Sequence, residues 1–144
     1  MALGRQSGFV ASNGPTISLA LASDGQYLSP KDLDIALKPI REIREALGNS
    51  IQIANDGHGK WSLPVAIRIA QAMEEYEIMW QEDLMPLQNP KALRELQDST
   101  KTPICISERL LSRWQFREFI ENGSARIVMP DLIWNGGISE THKI

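Results

Sequence analysis

With a single cysteine, Cys105, the chain has no disulfide within itself, and the residue's place in an apolar run fits a reducing compartment. Histidine is nearly as scarce: His58 and His142 are the two present, and neither joins a cysteine in a zinc-binding spacing. No stretch approaches the roughly 20 apolar residues that a membrane-spanning helix requires. The mildly apolar segment 9–22 is interrupted by Gly14 and Pro15 and lacks a basic start, so it does not have the form of a secretory leader. Basic excess is missing too. Fifteen Lys and Arg against 18 Asp and Glu leave a formal charge of -3, which attracts neither nucleic acid nor an anionic membrane. The expectation is a cytoplasmic chain that is large enough, at 144 residues with 42% apolar content, to bury a core of its own.

What the chain does have is a regular series of acids. Asp56, Glu82, Glu108 and Asp131 follow one another at intervals of 26, 26 and 23 residues, each just after a short strand-like run. The runs are 51–54, 78–81, 103–107 and 126–129, and a helix-like stretch follows each of the first three. Such an interval is the length of one strand, one helix and two short loops. Parallel strands that end in carboxylates gather them on one face, where α/β folds carry their chemistry.

Capping signals place the helices. Ser29-Pro30 opens one that carries Leu33, Ala36, Leu37, Ile40, Ile43 and Leu47 at helical spacing, with Pro39 predicting a kink or a second start. Ser62, Asn89 and Ser112 are caps for the next three helices, and the last begins after Gly136-Gly137. Residues 1–29 form an irregular segment with at most one strand, at 16–22. Residues 30–144 form the folded α/β domain, whose last strand would present an open edge for a partner, such as a second copy, to cover.

Carboxylates of Asp56, Glu82 and Glu108 on one face would repel one another unless protons or a cation neutralised them. Oxygen-only ligands suit a hard ion such as Mg²⁺, which can hold a substrate carboxylate while the adjacent C–H is deprotonated. Solvated loop acids would show the same spacing, so both readings stand at this point. His58 lies two residues beyond Asp56 between glycines, where it either delivers a proton or is incidental. Asp83 and Arg109 adjoin the proposed ligands and are placed to organise them. Of the tryptophans, Trp61 and Trp134 follow acids in loops and have the better claim to a pocket, whereas Trp80 and Trp114 read as core.

At these residues the chain resembles the mandelate racemase and muconate lactonizing enzyme branch of the enolase superfamily, from about residue 30 to 144. Asp56-Gly57-His58-Gly59-Lys60-Trp61 is similar to that family's Asp-x-Asn/His-Gly-x-Trp motif after the third barrel strand. Gln81-Glu82-Asp83 stands in place of Glu-Glu-Pro, and Ser107-Glu108 where Gly-Glu is common. Pro130-Asp131 and Gly136-Gly137-Ile138 match the end of the sixth strand. The resemblance implies a partial (β/α) barrel covering about strands three to six, with Mg²⁺ held by Asp56, Glu82 and Glu108. It also implies that Asp131 belongs to a base dyad. Histidine at the position of His58 resembles the sugar-acid dehydratases, where it is the general acid for loss of a β-hydroxyl. The implied activity is that of a hydro-lyase acting on a hexonate-like polyhydroxy carboxylate.

The departures are equally specific. No Lys-x-Lys pair precedes residue 30, the histidine that Asp131 would orient falls beyond Ile144, and residues 1–29 are too short for the family's capping domain. Turnover by this chain is therefore expected to be impaired. The alternatives are a homologue that binds metal or carboxylate without catalysis, a structural fragment, or a racemase or epimerase of a 2-hydroxy acid.

Overall fold

The computed structural model describes residues 8–12 and 25–144. Among these residues five parallel strands form one sheet in the order of the chain: β1 (Gly8–Ser12), β2 (Ile51–Asp56), β3 (Trp80–Glu82), β4 (Ile104–Ile106) and β5 (Ile127–Val128). Between them run α1 (Pro30–Leu47), α2 (Leu63–Ala72), α3 (Pro90–Asp98) and α4 (Arg113–Glu121), and a short α5 (Ile138–Thr141) follows β5. A doubly wound sheet reverses its strand order at a switch point, whereas consecutive order with a helix after each strand is the path of a (β/α) barrel. The architecture is an incomplete barrel, as the family resemblance implies, and its repeating βα units are those that the period of the acids predicts.

The four expected strands all form, close to the positions expected. A fifth, β1, pairs with β2 from Gly8↔Ile51 to Ser12↔Asn55 and carries the sheet back into the segment that the sequence reading left irregular. Residues 16–22, where a strand was expected instead, lie outside the described residues.

Helix starts follow from their caps. Ser29 accepts from the Asp32 amide while the Asp32 carboxylate accepts from the Ser29 amide, a reciprocal box. Asn89 accepts from the Lys91 and Ala92 amides, and Ser112 from the Gln115 amide. Pro39 neither ends α1 nor restarts it: the helix is continuous from Pro30 to Leu47. Burial of Ala36, Leu37 and Ile40 on one stripe holds it together, and Ile35, whose carbonyl loses its partner to Pro39, is 42% exposed.

The core lies between sheet and helices. Ile53, Ile104 and Ile106 on the strands meet Ala66, Ile69, Leu93, Leu96 and Phe116 on the helices, all fully buried. Each of the isoleucine and leucine side chains contributes about 2 kcal/mol by leaving water. Strand alternation turns Cys105, and Asp56 and Glu82 in register with it, to the opposite face.

Candidate active site

The loop after β2 is built onto the loop after β3. Gly57, Gly59 and Trp61 donate their amides to the carbonyls of Glu82, Asp83 and Leu84, at 2.8, 2.5 and 3.1 Å. This ladder continues the β2–β3 pairing past the strand ends. It requires glycine at position 57, where a Cβ would lie 2.7 Å from the Leu84 Cα.

His58 occupies the left-handed region at φ 55, and Asp83 does so at φ 41, conformations that non-glycine residues adopt at a cost of about 1 kcal/mol or more. Asp56 holds His58 twice, accepting from its amide at 2.8 Å through Oδ1 and meeting its ring Nδ1 at 2.6 Å through Oδ2. An ionised carboxylate only accepts, so Nδ1 carries the proton of that bond and Nε2 is the ring atom left for exchange.

Glu82 stands beside Asp56 in register and takes a 3.3 Å hydrogen bond from Trp80 Nε1. Burial, and then the Asp56 charge, push its carboxyl above the ordinary range. Ser107 Oγ lies 2.8 Å from Asp83 Oδ2 and 2.7 Å from Glu108 Oε2. One hydroxyl proton faces two carboxyls. The Ser107 contact holds Glu108 below its ordinary value, whereas burial pushes Asp83 up to about 6. Arg109 Nε approaches Asp83 Oδ2 at 3.3 Å, and Asp83 Oδ1 is buried without a partner. Cys105 lies beneath the acids, and burial followed by their charges keeps its thiol protonated.

Six of the proposed residues, Asp56, His58, Glu82, Asp83, Glu108 and Arg109, thus form one hydrogen-bonded and electrostatic neighbourhood at the carboxyl ends of β2, β3 and β4. Asp131 stands outside those contacts: its Oδ1 accepts from the Ile133 and Trp134 amides at 2.8 Å each, closing the turn after β5. Trp134 is 62% exposed and open to a ligand. Trp61 is not. It is completely buried in the core, because its amide is tied to Leu84 and its ring packs behind the loop. Trp114, expected in the core, is instead 63% exposed and carries the Arg113 guanidinium 4.9 Å above its ring. Ser107 had no role assigned from sequence, although its place one residue before Glu108 at a strand end was a usable signal.

The three acids offer only oxygen donors, and the Asp56 charge adds to the affinity of Glu82 for positive charge, so they suit a hard divalent cation in kind. In position they are otherwise engaged. Asp56 is turned to His58, Glu82 to Trp80 and Glu108 to Ser107, and among the described residues no three His, Cys, Asp or Glu side chains gather as a metal cage.

Comparison with known proteins gives the site its context. Residues 14–144 match the enolase C-terminal domain-like family. The chain belongs to that family, in the mandelate racemase and muconate lactonizing enzyme branch with its dehydratases. It is 33% identical over 120 residues to the D-galactonate dehydratase of Klebsiella pneumoniae (strain 342), covering 83% of this chain and 31% of that one. The D-galactonate dehydratase of Ralstonia nicotianae (strain ATCC BAA-1114 / GMI1000) is 34% identical over 116 residues, with 81% and 30% covered. A solved enolase of the mandelate racemase subgroup from Agrobacterium tumefaciens superposes with a TM-score of 0.87 at 38% identity, over 94% of this chain and 37% of that chain. The chain spans about a third of the length of these relatives.

Proposed function

We propose that the chain carries the metal-side half of a sugar-acid dehydratase centre, acting on a hexonate such as D-galactonate. The observation that carries this reading is the Asp56–His58 pair, a strand-end carboxylate holding a loop histidine 2.6 Å away beside two further acids. The named activity of the relatives supports it. Asp56, Glu82 and Glu108 would hold Mg²⁺, after exchanging their present protein partners for it. The ion supplies stabilisation of the negative charge that develops on the substrate carboxylate as its α-proton leaves.

His58 gives a proton from Nε2 to the departing β-hydroxyl, and its Nδ1 contact with Asp56 holds the ring while it does so. Asp131 is assigned to the proton-abstracting side, as the residue that orients the base. Trp134 is assigned to contact with the polyol. Among the described residues no helix is long and apolar enough to cross a membrane, and the proposed substrate is water-soluble.

A second reading is favoured by the present engagement of all three carboxylates: a homologue that binds an ion or a carboxylate without turnover. Calorimetric titration with Mg²⁺, followed by proton NMR of D-galactonate in deuterated buffer, separates the two. The dehydratase reading expects saturable binding weakened about tenfold or more by Glu108→Gln, and dehydration reduced about 100-fold or more by His58→Asn. Binding without dehydration or α-deuteration selects the second reading, and α-deuteration without dehydration selects a racemase or epimerase. A folded chain that takes up no Mg²⁺ sinks the first.

A further inference from the structure

One side chain ties three consecutive strand ends together. Arg109, after β4, sets its Nε 3.3 Å from Asp83 Oδ2 after β3, and its Nη2 donates at 2.8 Å to the backbone carbonyl of His58 after β2. The guanidinium also lies against Gly59, where a Cβ would come within 3.2 Å of Arg109 Cζ. We propose that Arg109, seated on Asp83, is a positioning residue that fixes the left-handed backbone of His58 and so aims its ring.

The physical case has three parts. His58 sits at φ 55, which costs a non-glycine residue about 1 kcal/mol, and the bond from Arg109 fixes the peptide that leaves it. Asp83 is 2% exposed, so as a carboxylate it needs a countercharge, and Arg109 is the cation that meets it. Ser107 pins the same Asp83 oxygen at 2.8 Å, so the seat of the clamp is itself held. The acceptors lie on two different loops, and a planar fork reaches both at once. A lysine ammonium could balance Asp83, but it is a single point donor on a flexible stem and would leave the His58 carbonyl free.

The importance of this clamp for catalysis rests on His58 being the proton donor, whereas the clamp itself is read without turnover. Amide hydrogen exchange at Gly59 and Trp61, together with the ring resonances of His58, reports it in the 144-residue chain. With two histidines in the sequence, His142→Gln assigns the two sets of ring signals. In Arg109→Lys the charge on Asp83 stays balanced and the fold is kept. Exchange at Gly59 is then expected to quicken about tenfold, and the His58 ring resonances to shift, while the Ile104 and Ile106 amides keep their protection.

Asp83→Asn, which removes the seat, is expected to give the same pattern, and it carries the test if the lysine variant does not fold. The double variant is expected to be no worse than either single one, since both act through one contact. Unchanged Gly59 exchange and His58 resonances in a folded variant, or effects that simply add, would overturn the clamp. Loss of the dehydratase reading alone would leave these exchange results as they are.

Discussion

The two ends of this sheet are built from similar residues to opposite purposes. At the amino ends of the strands, polar side chains bind backbone. Arg44 donates to the carbonyls of Tyr76, Glu77, Gly48 and Ile51, and Glu74 accepts from the Lys101 amide and the Thr100 hydroxyl, which hold its carboxyl below the ordinary range. At the carboxyl ends, side chains face one another: acids crowd acids, one buried carboxyl oxygen has no partner, and two non-glycine residues hold positive φ. Glu77 is the third such residue among those described, and it merely ends a helical turn. The difference teaches where stability is stored and where it is given up. Groups that satisfy the backbone tie the units together, whereas acids crowded on one face cost stability, as functional ends of such sheets commonly do.

That division can be broken from either side, and Gly57→Ala is expected to do so most severely. The added carbon meets Leu84 backbone at 2.7 Å, so the β2–β3 ladder must part. A loss of about 3 kcal/mol in denaturant stability is expected.

Asp83→Asn sharpens the contrast through pH. The folded value of about 6 lies above the ordinary 3.8, so the wild-type contribution from this group is complete below about pH 4 and is lost as pH rises through 6. Stability curves of wild type and variant are expected to diverge over that window by about 2–3 kcal/mol, with the variant relatively better at pH 7. Parallel curves would place the burial penalty elsewhere.

Arg44→Ala tests the opposite end. Losing its bonds to four carbonyls is expected to cost about 2 kcal/mol, with the His58 ring signals unchanged. A change at His58 would show that the ends are coupled after all. Ser29→Ala, which removes a capping box remote from the acids, is expected to cost about 1 kcal/mol and to leave the site readings alone.

Much of this was legible in the chain because it is local. Ser29, Asn89 and Ser112 cap the helices they were expected to cap, since a cap needs only amides two or three residues away. Ser62 shows the limit: it occupies the cap position of α2, yet its side chain makes no capping bond. Asp56 and Glu82 reached one face because strand alternation and register carry them to the same side, above Cys105. Trp61, buried rather than open to a pocket, shows the converse. Its position after Asp56 says that it follows the site, but the packing of a neighbouring loop decides whether its ring faces a pocket or the core.

Sequence alone therefore determined the repeating βα unit, the helix starts and the order of the acids, all of which depend on patterns within a few residues or on their repeat along the chain. Tertiary structure alone decided the pairing of Gly8–Ser12 with β2, the burial of Trp61, the sharing of Ser107 between two carboxyls and the reach of Arg109 to His58. Those contacts join groups up to 51 residues apart along the chain. Many partners could satisfy each group locally, and the sheet, by fixing which loops are neighbours, chooses among them.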